Sequence, residues 1–276
     1  MQRRVSAPPF ILPHALVTGA AAATPVKCGA MLNRAATLSA ALAASILALG
    51  LAASAGPALA RTPAPVVAEL YTSQGCSACG AADDLAAGLE GKKGVLTLTF
   101  PVDYWDYLGW RDTFAQPAFT DRQKAYAKAL GVREVYTPQL VVNGMAQIGK
   151  SQKGASLIDS ADELIGKAAK ARPRGPTVRL LSHGRVQVSA GHAPRGGAEV
   201  WLVRYQAAPA EVAVTSGENR GKSVRYRNVV RELERLGGWT GKSRTYAEPQ
   251  ASEGDLKTVV LVQAKSGGRI LAVIAP

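Results

Sequence analysis

The chain has 276 residues, 47% hydrophobic and 19% charged, enough apolar material to bury a core along most of its length in one large domain or two small ones. Its formal charge of +13 raises nucleic acid or an anionic membrane surface as partners. No stacking platform or groove-reading motif accompanies that charge, so nucleic acid is set aside and the basic run Arg220, Lys222, Arg225 and Arg227 reads as a solvated face.

Residues 1–30 carry scattered Pro and Gly without periodicity, and translation reads as starting at Met31, with the upstream piece a mis-called start. Met31-Leu-Asn-Arg34 is followed by a run rich in Ala, Leu and Ile over Ala35–Ala53, closing on Pro57-Ala58-Leu59-Ala60. A basic start, an apolar middle and a small-x-small end are the parts of a secretory signal peptide, predicted over 31–60. The run is long enough to span a membrane, which makes an uncleaved anchor the alternative. Ala58 and Ala60, with polar Arg61-Thr62-Pro63 behind them, favour cleavage, a periplasmic or secreted location and no stable membrane anchor. Losing Arg3, Arg4, Lys27 and Arg34 without any acidic residue lowers the formal charge from +13 to +9. Cys28 also goes, leaving Cys76 and Cys79 as the only thiols.

Val66–Tyr71 is apolar and partly β-branched, which predicts a buried strand. Thr72-Ser73-Gln74-Gly75 reads as a turn, and a helical pattern opens at Cys76 and runs to Glu90. Val95–Val102 alternates as a second strand. Asp103–Asp112 then packs four large aromatics and three aspartates into about ten residues. A helix is predicted from Thr120 to Leu130, a strand after Pro138, a hairpin at Asn143-Gly144 and a helix over Ser156–Lys170. Residues 172–176 read as a linker. Beyond Thr177, short strands recur at Val178–Leu181, Val186–Val188, Glu199–Tyr205, Val212–Val214, Thr258–Val262 and Ile270–Ile274, suggesting a small β-sandwich. Arg227–Leu236 fits a helix or a long strand equally. The expected fold class is α/β over 61–171, followed by a smaller β-rich, sandwich-like domain over 177–276.

Cys76-Ser77-Ala78-Cys79 carries the chemistry. A thiol over the free N–H groups and positive end of a helix is stabilised as thiolate, the attacking form in disulfide exchange. The spacing puts Cys79 in reach to resolve a mixed disulfide. Two other readings stay open: a structural disulfide within a non-catalytic exported binding module, and a metal role. Zinc needs four ligands, or three and a water, and only His183 and His192 remain, far along the chain; two thiolates can hold Cu(I) in a relay. Neither a metal nor a cofactor is expected.

Leu130-Gly131-Val132-Arg133 through Thr137-Pro138 to Asn143-Gly144 resembles the thioredoxin stretch in which a cis-proline faces the Cys-x-x-C. Glu69–Cys76, Val102–Trp110 and Tyr136–Gln139, together with Val200–Val203, Gly217–Gly221 and Tyr226–Arg231, are similar to an exported bacterial family catalogued as domain of unknown function 1223, within the thioredoxin-like superfamily. The chain departs from that family's pattern at Gly80, where Pro usually follows the second cysteine. The resemblance implies a thioredoxin-like domain acting as a thiol–disulfide oxidoreductase, with Cys76 attacking and Cys79 resolving. It implies a cis Pro138 and a Thr137 backbone that pairs with substrate. Glu69 lies close to where thioredoxins bury an acid beneath the second cysteine, so it is expected to serve Cys79 as a base, against a carboxylate at a strand edge that faces solvent or pairs with Arg. Tyr104 and Trp105 are candidates for a substrate-facing rim, against a loop packing its own rings. The expected partners are protein or small thiol substrates and a redox partner protein.

Overall fold

A computed structural model describes residues 64–149, 157–171 and 175–276. The expected start site, signal peptide and most of the linker lie outside the described residues. Strand β1 (Val66–Thr72) connects through helix α1 (Gly80–Glu90) to strand β2 (Val95–Pro101), which lies parallel to it. Helix α2 (Pro117–Ala129) starts on a proline, whose missing N–H costs nothing in the first turn. Strand β3 (Gln139–Val142) returns antiparallel to β1 and turns into β4 (Ala146–Ile148). Asn143 and Gly144, at positive φ of 48° and 63°, form the predicted turn, closed by the Met145 N–H on the Val142 carbonyl at 2.9 Å, and pairing resumes with Ala146 opposite Val142. Helix α3 (Leu157–Lys170) follows.

The two-residue period of β1 feeds two cores. Val66, Ala68 and Leu70 pack with Ala82, Leu85 and Leu89 of α1 and Ala161 and Ala168 of α3. Val67 and Tyr71 point the other way, into a cluster with Phe100 of β2 and Phe119 and Tyr126 of α2. A strand covered on both faces reads as nearly continuous apolar sequence, which is why β1 is legible.

The remaining strands are β5 (Val178–Leu181), β6 (Arg185–Val188), β7 (Ala198–Gln206), β8 (Ala210–Ala213), β9 (Ser223–Tyr226), β10 (Val229–Trp239), β11 (Arg244–Ala247), β12 (Lys257–Ala264) and β13 (Ile270–Ile274). They do not form the separate C-terminal domain expected from the sequence. One eight-stranded mixed sheet runs β13-β12-β7-β10-β2-β1-β3-β4, and residues Arg61–Pro276 gather in one compact unit. The seam is β10 beside β2, parallel, with Val229 opposite Thr99. Asn228 reinforces it: its side-chain amide donates to the Thr97 carbonyl at 3.0 Å and its carbonyl accepts the Thr99 N–H at 3.0 Å. Without β10, β2 would present an open edge of unpaired backbone groups.

Val203 and Tyr205 of β7 and Val259 and Leu261 of β12 join the cluster built on β1, β2 and α2. Their alternates, Val200, Val260 and Val262, face a three-stranded sheet β11-β6-β5. The sandwich character expected of this region is therefore local, with one of its two layers shared with the α/β part. The segment that fitted helix or strand equally is β10; register shifts against β7 at Val230/Glu232 and Arg235/Gly237 interrupt its alternation, so the sequence shows neither period cleanly.

Candidate functional site

Cys76 and Cys79 are joined in a disulfide with Cα atoms 5.5 Å apart. The helix begins later than the sequence pattern suggests: Cys79 is the N-cap of α1, and its carbonyl accepts the N–H groups of Ala82 and Asp83 at 2.9 and 3.0 Å. Cys76 belongs to the preceding turn, its N–H on the Ser73 carbonyl at 3.1 Å. Ser77 and Ala78 are exposed, whereas each cysteine is only 1% exposed.

Gln74, fully buried, anchors this turn. Its side-chain oxygen accepts the Trp110 indole N–H at 2.9 Å and the Thr113 N–H at 3.2 Å, while its backbone N–H donates to Asp112 at 2.7 Å. The other Asp112 oxygen accepts the N–H groups of Phe114 and Ala115. Burial pushes the Asp112 carboxyl up, and these N–H groups partly offset it. A second brace comes from the β8–β9 loop. Asn219 donates its amide to the carbonyls of Gln74 and Cys76 at 2.9 and 3.1 Å, and the Ser77 hydroxyl donates to Glu218 at 2.7 Å. Gly217, at φ 72°, lets this loop approach: a Cβ there would sit 3.2 Å from that of Trp110.

Glu69 lies on the β1 face that meets α2, with Val67 and Tyr71, while Ala68 and Leu70 meet α1. Both its oxygens are occupied: Arg122 donates through Nε at 2.7 Å and Nη2 at 2.8 Å, Tyr126 at 2.8 Å and Tyr71 at 3.0 Å. Burial drags the Arg122 guanidinium down, but the charges of Glu69 and its neighbours outweigh that and hold it well above its ordinary value. Burial and the Glu69 charge push Tyr71 well up, and do the same to Tyr126 against the opposing pull of Arg122. The expected base for Cys79 is thus a corrected assignment: strand alternation turns Glu69 away from α1, and four donors consume its lone pairs. The buried acid on the cysteine side is Asp83, one turn into α1. It accepts the Thr72 hydroxyl at 2.8 Å, and burial, with Asp84 and Asp112 nearby, raises its carboxyl well above the usual range. The signal for it was an aspartate four residues after Cys79, on the helix face shared with Ala82 and Ala86.

Two hollows flank the cysteine turn. One, about 310 Å³, is walled by Tyr104, Trp105, Tyr107, Tyr136 and Thr137 and touches the turn at Ser77 and Ala78. The Trp105 indole donates to Thr137 Oγ1 at 2.8 Å, and the Thr137–Pro138 bond is cis. Burial pushes the Tyr104 phenol up to about 12. The other, about 390 Å³, is lined by Cys76, Asp83, Asp84, Asn219, Lys222 and Arg225 among others. Among the described residues no three His, Cys, Asp or Glu side chains gather as a metal-binding group.

The family described as "Protein of unknown function (DUF1223)" matches residues 67–263. The chain belongs to that family. A crystal structure of a protein from Agrobacterium tumefaciens, solved by a structural-genomics consortium, is similar to this DUF1223 chain at 29% identity. The match covers 78% of this chain and 95% of the other, with a TM-score of 0.61. No curated protein matches significantly.

Within this DUF1223 member the structure brings Cys76, Cys79, Thr137, Tyr104 and Trp105 around one turn and leaves Glu69 on the opposite face. Pro138 lines a small apolar crevice with Leu70, Ala82 and Leu85 at the foot of α1. In the aromatic stretch, Trp110 holds the turn through Gln74, and Tyr104 and Trp105 wall the hollow. Gln74, Asp83 and Asn219 were not singled out as site residues from the sequence. Asn219 sits 143 residues from Cys76, and only the folded chain unites them.

Proposed function

We propose that this DUF1223 protein is a thioredoxin-like thiol–disulfide oxidoreductase acting outside the cytoplasm, with Cys76 as the attacking thiol and Cys79 as the resolving one. The observation that carries the reading is the bonded pair leading into α1, with Cys79 as its N-cap and Cys76 in the turn just before it; the N–H groups and dipole of a helix start favour a nearby thiolate. Further support comes from the order strand, helix, strand, helix, hairpin, helix around the parallel β1–β2 pair, and from the cis Thr137–Pro138 segment beside the turn. Exchange runs through a mixed disulfide: a thiolate attacks one sulfur, the S–S bond breaks, and the departing sulfur takes a proton. In this reading the proton is supplied or accepted by Asp83, whose carboxyl burial raises well above the usual range and which lines a hollow together with Cys76.

One observation favours a second reading. Both cysteines are 1% exposed, as in a structural staple within a binding module. The reduction potential separates the two. An exchanging pair lies above about −300 mV and shows a Cys76 thiolate near neutral pH; a staple lies below that potential and shows none. A Cys79→Ala variant should trap partners as mixed disulfides on Cys76, and no trapped species would remove the exchange reading.

A further inference from the structure

Of the two hollows, the aromatic one touches the turn only at Ser77 and Ala78, whereas the polar one is lined by Cys76 itself. Its 390 Å³ falls in the range of small-molecule sites, about 300–1,000 Å³. Its walls carry charges of both signs that do not cancel one another. Among the described residues the Lys222 ammonium donates only to the Asn219 amide oxygen, at 3.1 Å, and makes no ion pair. Asp84, at the mouth on α1, makes none either, while Arg225 is held by Glu211 at 3.3 Å. Asp83 adds a buried acid to the same lining.

We propose that this hollow receives a low-molecular-weight zwitterionic thiol or disulfide, of the amino-acid or short-peptide class, and so fixes the substrate of the exchange reaction on which this reading rests. The carboxylate of such a ligand meets Lys222 and its ammonium meets Asp84, which brings its sulfur in beside Cys76. With the pair reduced, the Cys76 thiolate attacks one sulfur of the ligand disulfide. The new S–S bond forms as the old one breaks, and the first thiol leaves with a proton. Cys79 then attacks Cys76, releasing the second thiol and closing the protein disulfide. One dithiol and one ligand disulfide become one protein disulfide and two thiols, and the reverse course uses two thiols to reduce the pair. Exposed charges at the mouth give selectivity of modest size that salt screens.

The test uses the purified full-length protein, oxidised, with reduction read by acid quenching, alkylation and mass. Cysteine and glutathione are compared with 2-mercaptoethanol, each rate corrected for its thiolate fraction, with dithiothreitol as a reference reductant. The zwitterionic thiols should react faster than the neutral one, and half-molar salt should erase the preference. Lys222→Glu and, separately, Asp84→Lys should each lower the zwitterionic-to-neutral ratio about fivefold. Equal corrected rates, or ratios unmoved in both variants while the pair still exchanges, would overturn the substrate assignment alone. No reduction by any of the thiols, dithiothreitol included, would instead overturn the exchange reading and this one with it.

Discussion

Glu69 and Asp83 are both buried carboxylates close in sequence to the cysteines, and they sit in opposite circumstances. Glu69 is met by four donors on the α2 side of the sheet and faces a guanidinium that cancels its charge. Asp83 has one hydroxyl, and its charged neighbours Asp84 and Asp112 share its sign. A fully paired carboxylate serves the fold; an under-paired one, its carboxyl pushed up by burial, is open to proton chemistry.

Several substitutions would break or sharpen that contrast, and the largest effect is structural. Arg122→Ala leaves Glu69 buried and uncompensated and should cost about 3–5 kcal/mol in urea unfolding. A loss under about 1 kcal/mol would show that Glu69 is less enclosed than its contacts imply. Glu69→Gln should lower stability yet leave the pH profile of thiol exchange where it was; a displaced profile would restore Glu69 as the base. Asp83→Asn should do the reverse, slowing exchange at neutral pH at least about tenfold.

The same aspartate gives a pH-dependent stability. Folding raises its pKa, so its contribution is complete below the ordinary carboxylate value of about 3.9 and is lost as pH climbs through the raised folded value. Asp83→Asn should therefore gain on the parent between pH 4 and pH 8 in urea unfolding of the oxidised protein. A constant difference across that window would mean that Asp83 is ionised throughout. Thr72→Val is the smallest of these changes. Losing one hydrogen bond should cost about 1 kcal/mol and move the alkaline limb of the exchange profile upward, because that bond favours the Asp83 anion.

The sequence revealed the α/β half because its elements announce themselves locally. β1 is apolar on both faces, Asn143-Gly144 turns a hairpin, and the cysteine spacing sits between a strand and a helix. It misled on Glu69 because nearness in sequence to Cys76 says nothing about which face of β1 a side chain takes. Counting by twos would have helped, since Leu70 and Ala68 face α1 and Glu69 cannot join them. The joining of the two halves was not legible, because β10 meets β2 through a single ladder pair beside the Asn228 amide and the core they share is built from residues far apart in sequence. β9 and β11 escaped notice because they are short and mostly exposed, without an apolar alternation to mark them.

The loop that clamps the cysteine turn has a consequence for how the protein matures. The two cysteines are three residues apart and can meet as soon as their own turn exists, whereas Asn219 reaches Cys76 across 143 residues. On a chain made from its N-terminus, the two cysteines are therefore in place before the residue that braces their turn has been synthesised. A nascent or truncated chain ending before residue 214 would lack the Asn219 brace on the carbonyls of Gln74 and Cys76, so the turn that holds the pair reaches its final form only on the finished polypeptide.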